Sequence, residues 1–204
     1  MGAGRQRAFD KDDALKKAME LFWLKGYSGT SLSDLTEAMG INKPSLYAAF
    51  GNKEALFVNA LNQYVNDYGV PHFDKLLDTN SSLRERLEAY LESIAEMLSD
   101  PQLPGGCFVA SSTCEARSEC LPEDALQAIH QINTASIEAF ISFFNDEKVK
   151  GNIISTASTE VVADYLLTLQ FGLATLARNG AKRDRLKLVI GHAISSFISE
   201  RNIT

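Results

Sequence analysis

The chain has 204 residues, a net charge of −6 and three cysteines, with 45% hydrophobic and 23% charged residues. That balance excludes a disordered low-hydrophobicity chain, and an odd cysteine count argues against a disulfide framework. Uninterrupted apolar runs fall far short of the roughly 20 residues of a membrane span, and Asp10, Lys11, Asp12 and Asp13 interrupt any export-signal pattern, so a cytoplasmic location without membrane partners is expected.

The acidity is uneven. Residues 1–60 carry eight Lys/Arg against seven Asp/Glu, and the remainder carries twelve against nineteen. A near-neutral head can still bind a phosphate backbone if its few cations share a face.

In chain order, residues 1–8 read as a basic arm. From Asp10 to Lys25, Leu15, Ala18, Leu21 and Phe22 recur at three- and four-residue spacing, which predicts a helix ended by Gly26. Thr30 or Ser31 caps the next helix, with Asp34 placed for a capping box and Leu32, Leu35 and Met39 facing inward. Gly40 breaks it. Asn42 caps a second short helix that tolerates Pro44 in its first turn and carries Leu46, Tyr47 and Phe50. Asn52 caps a fourth helix running to about Tyr68, where Gly69–Val70–Pro71 ends it. Beyond, Pro, Gly and Asn punctuation predicts helices over about 82–99, 105–118, 122–146, 156–178 and 182–200. No segment shows sustained period-two alternation. The expectation is an all-α fold of about nine helices, with a head at 8–60, a connecting helix at 52–68 and a helical body at 61–204.

Residues 30–53 hold what a helix-turn-helix needs: a bracing helix, a glycine turn at Gly40–Ile41–Asn42, and a second helix with a small outer face. Leu46 and Phe50 would face the core. Ser45, Ala48 and Ala49 leave the other face able to enter a major groove. Lys43 can reach a phosphate or a guanine edge, the Tyr47 hydroxyl a phosphate, and Lys53 with the opening amides of the fourth helix another. Thr30 and Ser31 are a further phosphate site. From spacing alone, a three-helix cluster with merely solvated lysines is about as good a reading.

The string GYSGTSLSDLTEAMGINKPSLYAAFGNKEALF resembles the N-terminal signature of the TetR family of bacterial repressors. Gly26–Tyr27, Thr30–Ser31, Gly40–Ile41, Leu46–Tyr47 with Phe50, and Lys53–Glu54 with Leu56 carry the resemblance, which is dense over about residues 10–60. It implies double-stranded DNA contact by Thr30, Ser31, Lys43, Pro44, Ser45, Tyr47 and Lys53, and geometry adds Asn42. Many members have an aromatic and a histidine where this chain has Ala48 and Ala49, which shifts specificity toward Lys43, Ser45 and DNA shape.

In the body, Val162, Leu166, Leu169, Leu173 and Leu176, then Leu186, Ile190, Ala193 and Phe197, form two helical stripes. Their spacing alone slightly favours packing on their own subunit. The resemblance implies instead a homodimer through the last two helices, with Val162, Leu166, Leu169, Leu173, Leu186, Ile190 and Phe197 at its interface, reading a palindromic operator. It also implies a small-molecule inducer in an apolar cavity, with Tyr64, Tyr90, Cys107, Phe108, Ser111, Phe143 and Phe171 as lining candidates. Cys107, after Pro104–Gly105–Gly106, lies near a helix N-terminus, where the dipole favours thiolate. It resembles the electrophile- or oxidant-sensing cysteines of some members, although a small buried hydrophobe is the commoner role of a free cysteine. Cys107 and Cys114 stand about 10 Å apart along a helix, beyond disulfide reach and too far to share a metal, while Cys107 with Cys120 stays open.

An enzyme is the main rival. His72, His130 and His192 stand alone, without HExxH, GxSxG or GxxxxGK, and no cofactor or metal motif is present. A helical adaptor without DNA binding would leave Lys43, Lys53 and the small outer face without a role.

Overall fold

The computed structural model describes residues 9–116, 121–152 and 157–197, and among these every regular element is helical. The head comprises α1 (Lys11–Lys25), α2 (Leu32–Met39) and α3 (Lys43–Phe50). Helix α4 (Lys53–Tyr64) leaves the head and packs along both α1 and the body. The body holds the short α5 (Val70–Phe73), then α6 (Leu83–Leu98), α7 (Phe108–Glu115), α8 (Glu123–Val149), α9 (Thr159–Arg178) and α10 (Arg183–Phe197).

Local chemistry sets the head's boundaries. Asp10 caps α1 by accepting from the Asp12 and Asp13 amides at 2.9 and 3.2 Å. Ser31 and Asp34 form a reciprocal capping box on α2. Asn42 and Asn52 accept from Ser45 and Ala55 amides at 2.8 and 2.7 Å. Gly40, at φ 66°, supplies the left-handed residue that turns α2 into α3. The buried face of α1 is Ala14, Ala18, Met19, Phe22 and Trp23, rotated from the expected stripe so that Leu15 and Leu21 are half-buried.

The fourth helix does not stop at Gly69–Val70–Pro71. The chain widens into a π turn over Val65–Gly69, and the Val70 amide bonds back to the Val65 carbonyl. It then continues through α5 and a 3₁₀ turn, Asp74–Leu77. Proline has no amide to offer, and the widened turn accommodates it without breaking the rod. The predicted helix from 105 begins at Phe108, because Gly105 and Gly106 both take positive φ. Helix α8 runs past the predicted 146 to Val149.

Beneath α6, the Arg86–Glu147 ion pair, closing at 2.6 Å, is almost fully buried. Burial alone would raise the Glu147 carboxyl, but hydrogen bonds from Arg86, Lys150 and Asn152 outweigh it and hold it at about 2.

Helix α9 is, by length and a mean hydropathy of 1.2 over its 18-residue window, apolar enough to cross a membrane. One face explains part of that: Val162, Ala163, Leu166, Leu173 and Ala174 are buried within the chain. The opposite face still exposes Val161 and Tyr165, and on α10 Leu188 is 77% exposed. The expected dimer residues divide accordingly within the single chain. Val162, Leu166, Leu173, Leu186 and Ile190 are spent on the chain's own core and Leu169 is half-buried, while the side chain of Phe197 lies outside the described residues.

Candidate nucleic-acid interface

Helix α3 turns Leu46 and Phe50 into the core, with relative exposures of 0% and 4%. The remainder of the helix faces outward: Lys43, Pro44, Tyr47 and Ala48 are exposed and Ser45 and Ala49 half-buried. Tyr47 is 47% exposed, unusual for a large aromatic without a partner surface. The capping residues Ser31 and Asn42 are also exposed, and the first amides of α2, α3 and α4 have no acceptor within their own helices.

Lys53 is held in place. Its ammonium lies 3.9 Å from the centroid of the Tyr27 ring. Burial lowers its pKa, and the neighbouring Glu54 and Glu115 act in the other direction. The Tyr27 hydroxyl donates to Glu54 Oε1 at 2.8 Å, so one aromatic side chain orients both residues at the start of α4.

Thr30 is a correction to the expected DNA-contacting set. It is 1% exposed and its hydroxyl donates to the Gly26 carbonyl at 2.7 Å. It braces the α1–α2 turn instead of presenting a hydroxyl outward. Ser31 keeps its place at the surface, where it pulls the Asp34 carboxyl down to about 2 through hydrogen bonds from its hydroxyl and its amide, with Lys25 adding to the effect.

The head is tied to the body by hydrogen bonds that sequence reading missed. Trp23 Nε1 donates to the Gly106 carbonyl at 3.0 Å. Arg178, at the end of α9, donates to the Leu24 carbonyl and to Ser111 Oγ at 3.1 and 3.2 Å. Glu115, in the last turn of α7, accepts from the Tyr27 and Ser28 amides at 3.0 and 2.8 Å. A Cβ on Gly26 would stand 2.9 Å from the Glu115 carboxylate, so the glycine that stops α1 also clears this approach. Partners 87 or 88 residues apart leave no periodic signal in the sequence.

Behind this junction lies a cavity of about 490 Å³ between α4, α6, α8 and α9. Of the expected lining residues, Tyr64, Tyr90, Cys107 and Phe171 reach it, whereas Phe108, Ser111 and Phe143 do not. Phe108 packs between the Phe57 and Tyr64 rings, 5.6 and 5.7 Å away. Phe143 meets Phe144 edge to face and lies under the Arg86 guanidinium. Ser111 is committed to the Cys107 carbonyl and Arg178. His72, Phe73, Phe140 and Gln170 line the cavity unannounced.

Cys107 caps α7, its Sγ lying 3.5 Å from the Ala110 amide. Burial dominates and raises its pKa, although hydrogen bonds from Tyr64, Ala110 and Val109 act to lower it. The expected thiolate-favouring effect of the helix terminus is thus outweighed by desolvation. Cys114 is exposed, and Cys120 lies outside the described residues.

The head and the whole chain both have known counterparts. Residues 14–60 match the family described as bacterial regulatory proteins, tetR family. The chain is 33% identical to the HTH-type transcriptional repressor ComR of Escherichia coli K12, across 92% of this chain and 89% of that one. It is 30% identical to the repressor BdcR of the same organism, across 97% and 95%. Among solved structures, a cysteine mutant of the TetR family regulator CifR in complex with 26-bp double-strand operator DNA superposes with a TM-score of 0.86 at 35% identity, covering 95% of this chain and all of that one. With an exposed recognition helix on a head of this signature and full-length relatives of this kind, the chain belongs to the TetR family and is a DNA-binding transcriptional repressor, not an enzyme.

Proposed function

We propose that the protein is a cytoplasmic homodimeric repressor that holds a palindromic operator and releases it when a small molecule fills the cavity. The head, residues 8–60, reads DNA through Ser45 and Tyr47, with Lys43 at the start of α3 reaching a phosphate or a guanine edge. Ser31, Asn42, Pro44 and Lys53 fix it on the phosphates. Residues 61–204 bind ligand and dimerise. The operator complex of CifR supports the DNA half of this reading. The dimer half rests on the outward face of α9 and α10, where Val161, Tyr165 and Leu188 are exposed. A two-fold axis there would set two recognition helices about one DNA turn apart.

The observation that carries the release step is that two helices touch both cavity and head. Helix α4 begins at Lys53 and ends at the cavity-lining Tyr64. Helix α7 begins beside the cavity-lining Cys107 and ends at Glu115, which grips Tyr27 and Ser28. A ligand that stabilises a body arrangement with the heads off-register lowers operator affinity by its differential affinity for that state. Selection of genomic fragments on the purified protein tests the reading. Sharp peaks sharing a palindrome are expected, and no enrichment by a folded dimer at moderate salt would overturn it.

A second reading has its own observation, the Cys107 thiol in the cavity wall. An activated alkene entering the cavity would take the sulfur at its β-carbon and the thiol proton at its α-carbon, locking the cavity in the filled state. N-ethylmaleimide should then release operator from the parent protein and not from Cys107→Ser. Release from both would refute a role for this cysteine.

A further inference from the structure

We infer that the cavity selects an uncharged, flat, mostly apolar ligand bearing a hydrogen-bond acceptor, and rejects ions of either sign. This rests on the inducer reading and gives that ligand a chemical class. Among the described residues no Asp, Glu, Lys or Arg lines the cavity. Its ionisable side chains are His72, Tyr64, Tyr68, Tyr90 and Cys107, and burial moves each of them toward its neutral form. An ionic ligand would leave water and meet no countercharge, which is a large cost in an apolar enclosure.

Shape and polarity narrow the class further. Aromatic rings from α4, α6, α8 and α9, among them Tyr64, Tyr90, Phe140 and Phe171, surround the space and favour a planar partner. A cavity of about 150 Å³ accommodates benzene, so about 490 Å³ takes two or three fused rings. Several of the polar groups are already paired: the Tyr90 hydroxyl donates to Gln170 Oε1 at 3.0 Å, His72 Nδ1 meets Ser93 Oγ at 2.9 Å, and Asn133 Nδ2 donates to Thr113 Oγ1 at 2.9 Å. The Tyr90 bond uses only the Gln170 carbonyl, which leaves the Gln170 amide N–H groups among the donors for a ligand oxygen. The π turn over Val65–Gly69 forms part of this wall, so the one widened stretch of the fourth helix lies where the ligand sits.

The test is calorimetric titration at neutral pH with three naphthalenes of matched shape: β-naphthol, β-naphthoate and β-naphthylmethylammonium. Naphthol is expected to bind at least about a hundredfold more tightly than either ion. An ion binding within tenfold of naphthol, or no binding by any of the three, overturns the inference. Ala139→Trp, which fills the cavity, should abolish naphthol binding, and Ile132→Trp serves if that variant does not fold. Binding retained in a folded variant of this kind places the ligand elsewhere and also overturns it. Operator affinity measured alongside separates the two ideas: naphthol that binds in the cavity without weakening operator binding upholds the ligand class and counts against the inducer reading.

Discussion

Lys43 and Glu147 show two ways a charged side chain serves this protein. Lys43 is exposed at the first turn of α3, beside the groove-facing surface. Lys43→Ala should weaken operator binding about tenfold and flatten its dependence on salt by about one counterion per head, about two for the dimer, with helicity unchanged. An unaltered salt slope in operator titrations would remove Lys43 from the phosphate contacts. Glu147 is the opposite case, sealed against Arg86. Removing it leaves a buried guanidinium uncompensated, so Glu147→Ala should cost about 3–5 kcal/mol in urea denaturation. The same carboxylate predicts acid lability. Its folded value of about 2 lies below its ordinary 4.5, so its contribution to stability is complete above the ordinary value and is lost as pH falls through the folded one. Glu147→Ala should show a flatter loss of stability across that interval. At this scale the sequence was legible where a role depends on near neighbours. Ser31, Asn42 and Asn52 cap from their own positions, and Leu46 and Phe50 point inward by helical period. Thr30 was misread because its burial depends on where Gly26 folds back, and nothing in the run Thr30–Ser31 distinguishes one hydroxyl from the other.

Among the helices, α7 has a role out of proportion to its length. It spans about 12 Å and is tied at both ends, to the cavity through Cys107 and to the head through Glu115. An acidic residue in the last turn opposes the helix dipole, so Glu115 weakens its own helix while it holds Tyr27 and Ser28. Glu115→Ala should therefore cost only about 1–2 kcal/mol in stability. Its larger effect should be on communication. In a double-mutant cycle on operator affinity, Glu115→Ala and the cavity filler Ala139→Trp should deviate from additivity by about 0.5–3 kcal/mol. Strict additivity would sever α7 from the route between cavity and head. Glycine and proline punctuation placed most helices within a few residues. It failed at Gly69–Val70–Pro71, where a π turn absorbs the residues that ordinarily stop a helix, and at the start of α7, where Gly105–Gly106 is a linker and not a first turn.

For the molecule as a whole, the distribution of charge and of apolar surface sets its orientation. An acidic body behind a near-neutral head is repelled by DNA everywhere except at the recognition face, which favours approach head-first. The period-seven stripe of α9 identified apolar residues without saying which face was free. Val162, Leu166 and Leu173 turned out to be the inward half, and the outward half includes Val161 and Tyr165. Apolar residues stand on both sides of this helix, and only packing on α6, α8 and α10 decides which side is buried. Leu188→Glu, at a site 77% exposed in the single chain, should leave thermal stability of the protomer intact, convert the dimer to monomer in sedimentation, and sharply weaken binding to a two-half-site operator. A variant that still sediments as a dimer would place the interface elsewhere.

Trp23 is the only tryptophan in the chain. Its indole bonds to the Gly106 carbonyl, one residue before Cys107, and its ring lies 4.8 and 5.3 Å from Tyr64 and Tyr68. The chain's indole emission therefore originates at the seam between head and body, without a label and without background from a second site. Its intensity and wavelength form an optical gauge of that seam, readable in a stopped-flow cell while operator or ligand is mixed in, and the order in which seam and operator respond would separate a body that moves first from a head that leaves first.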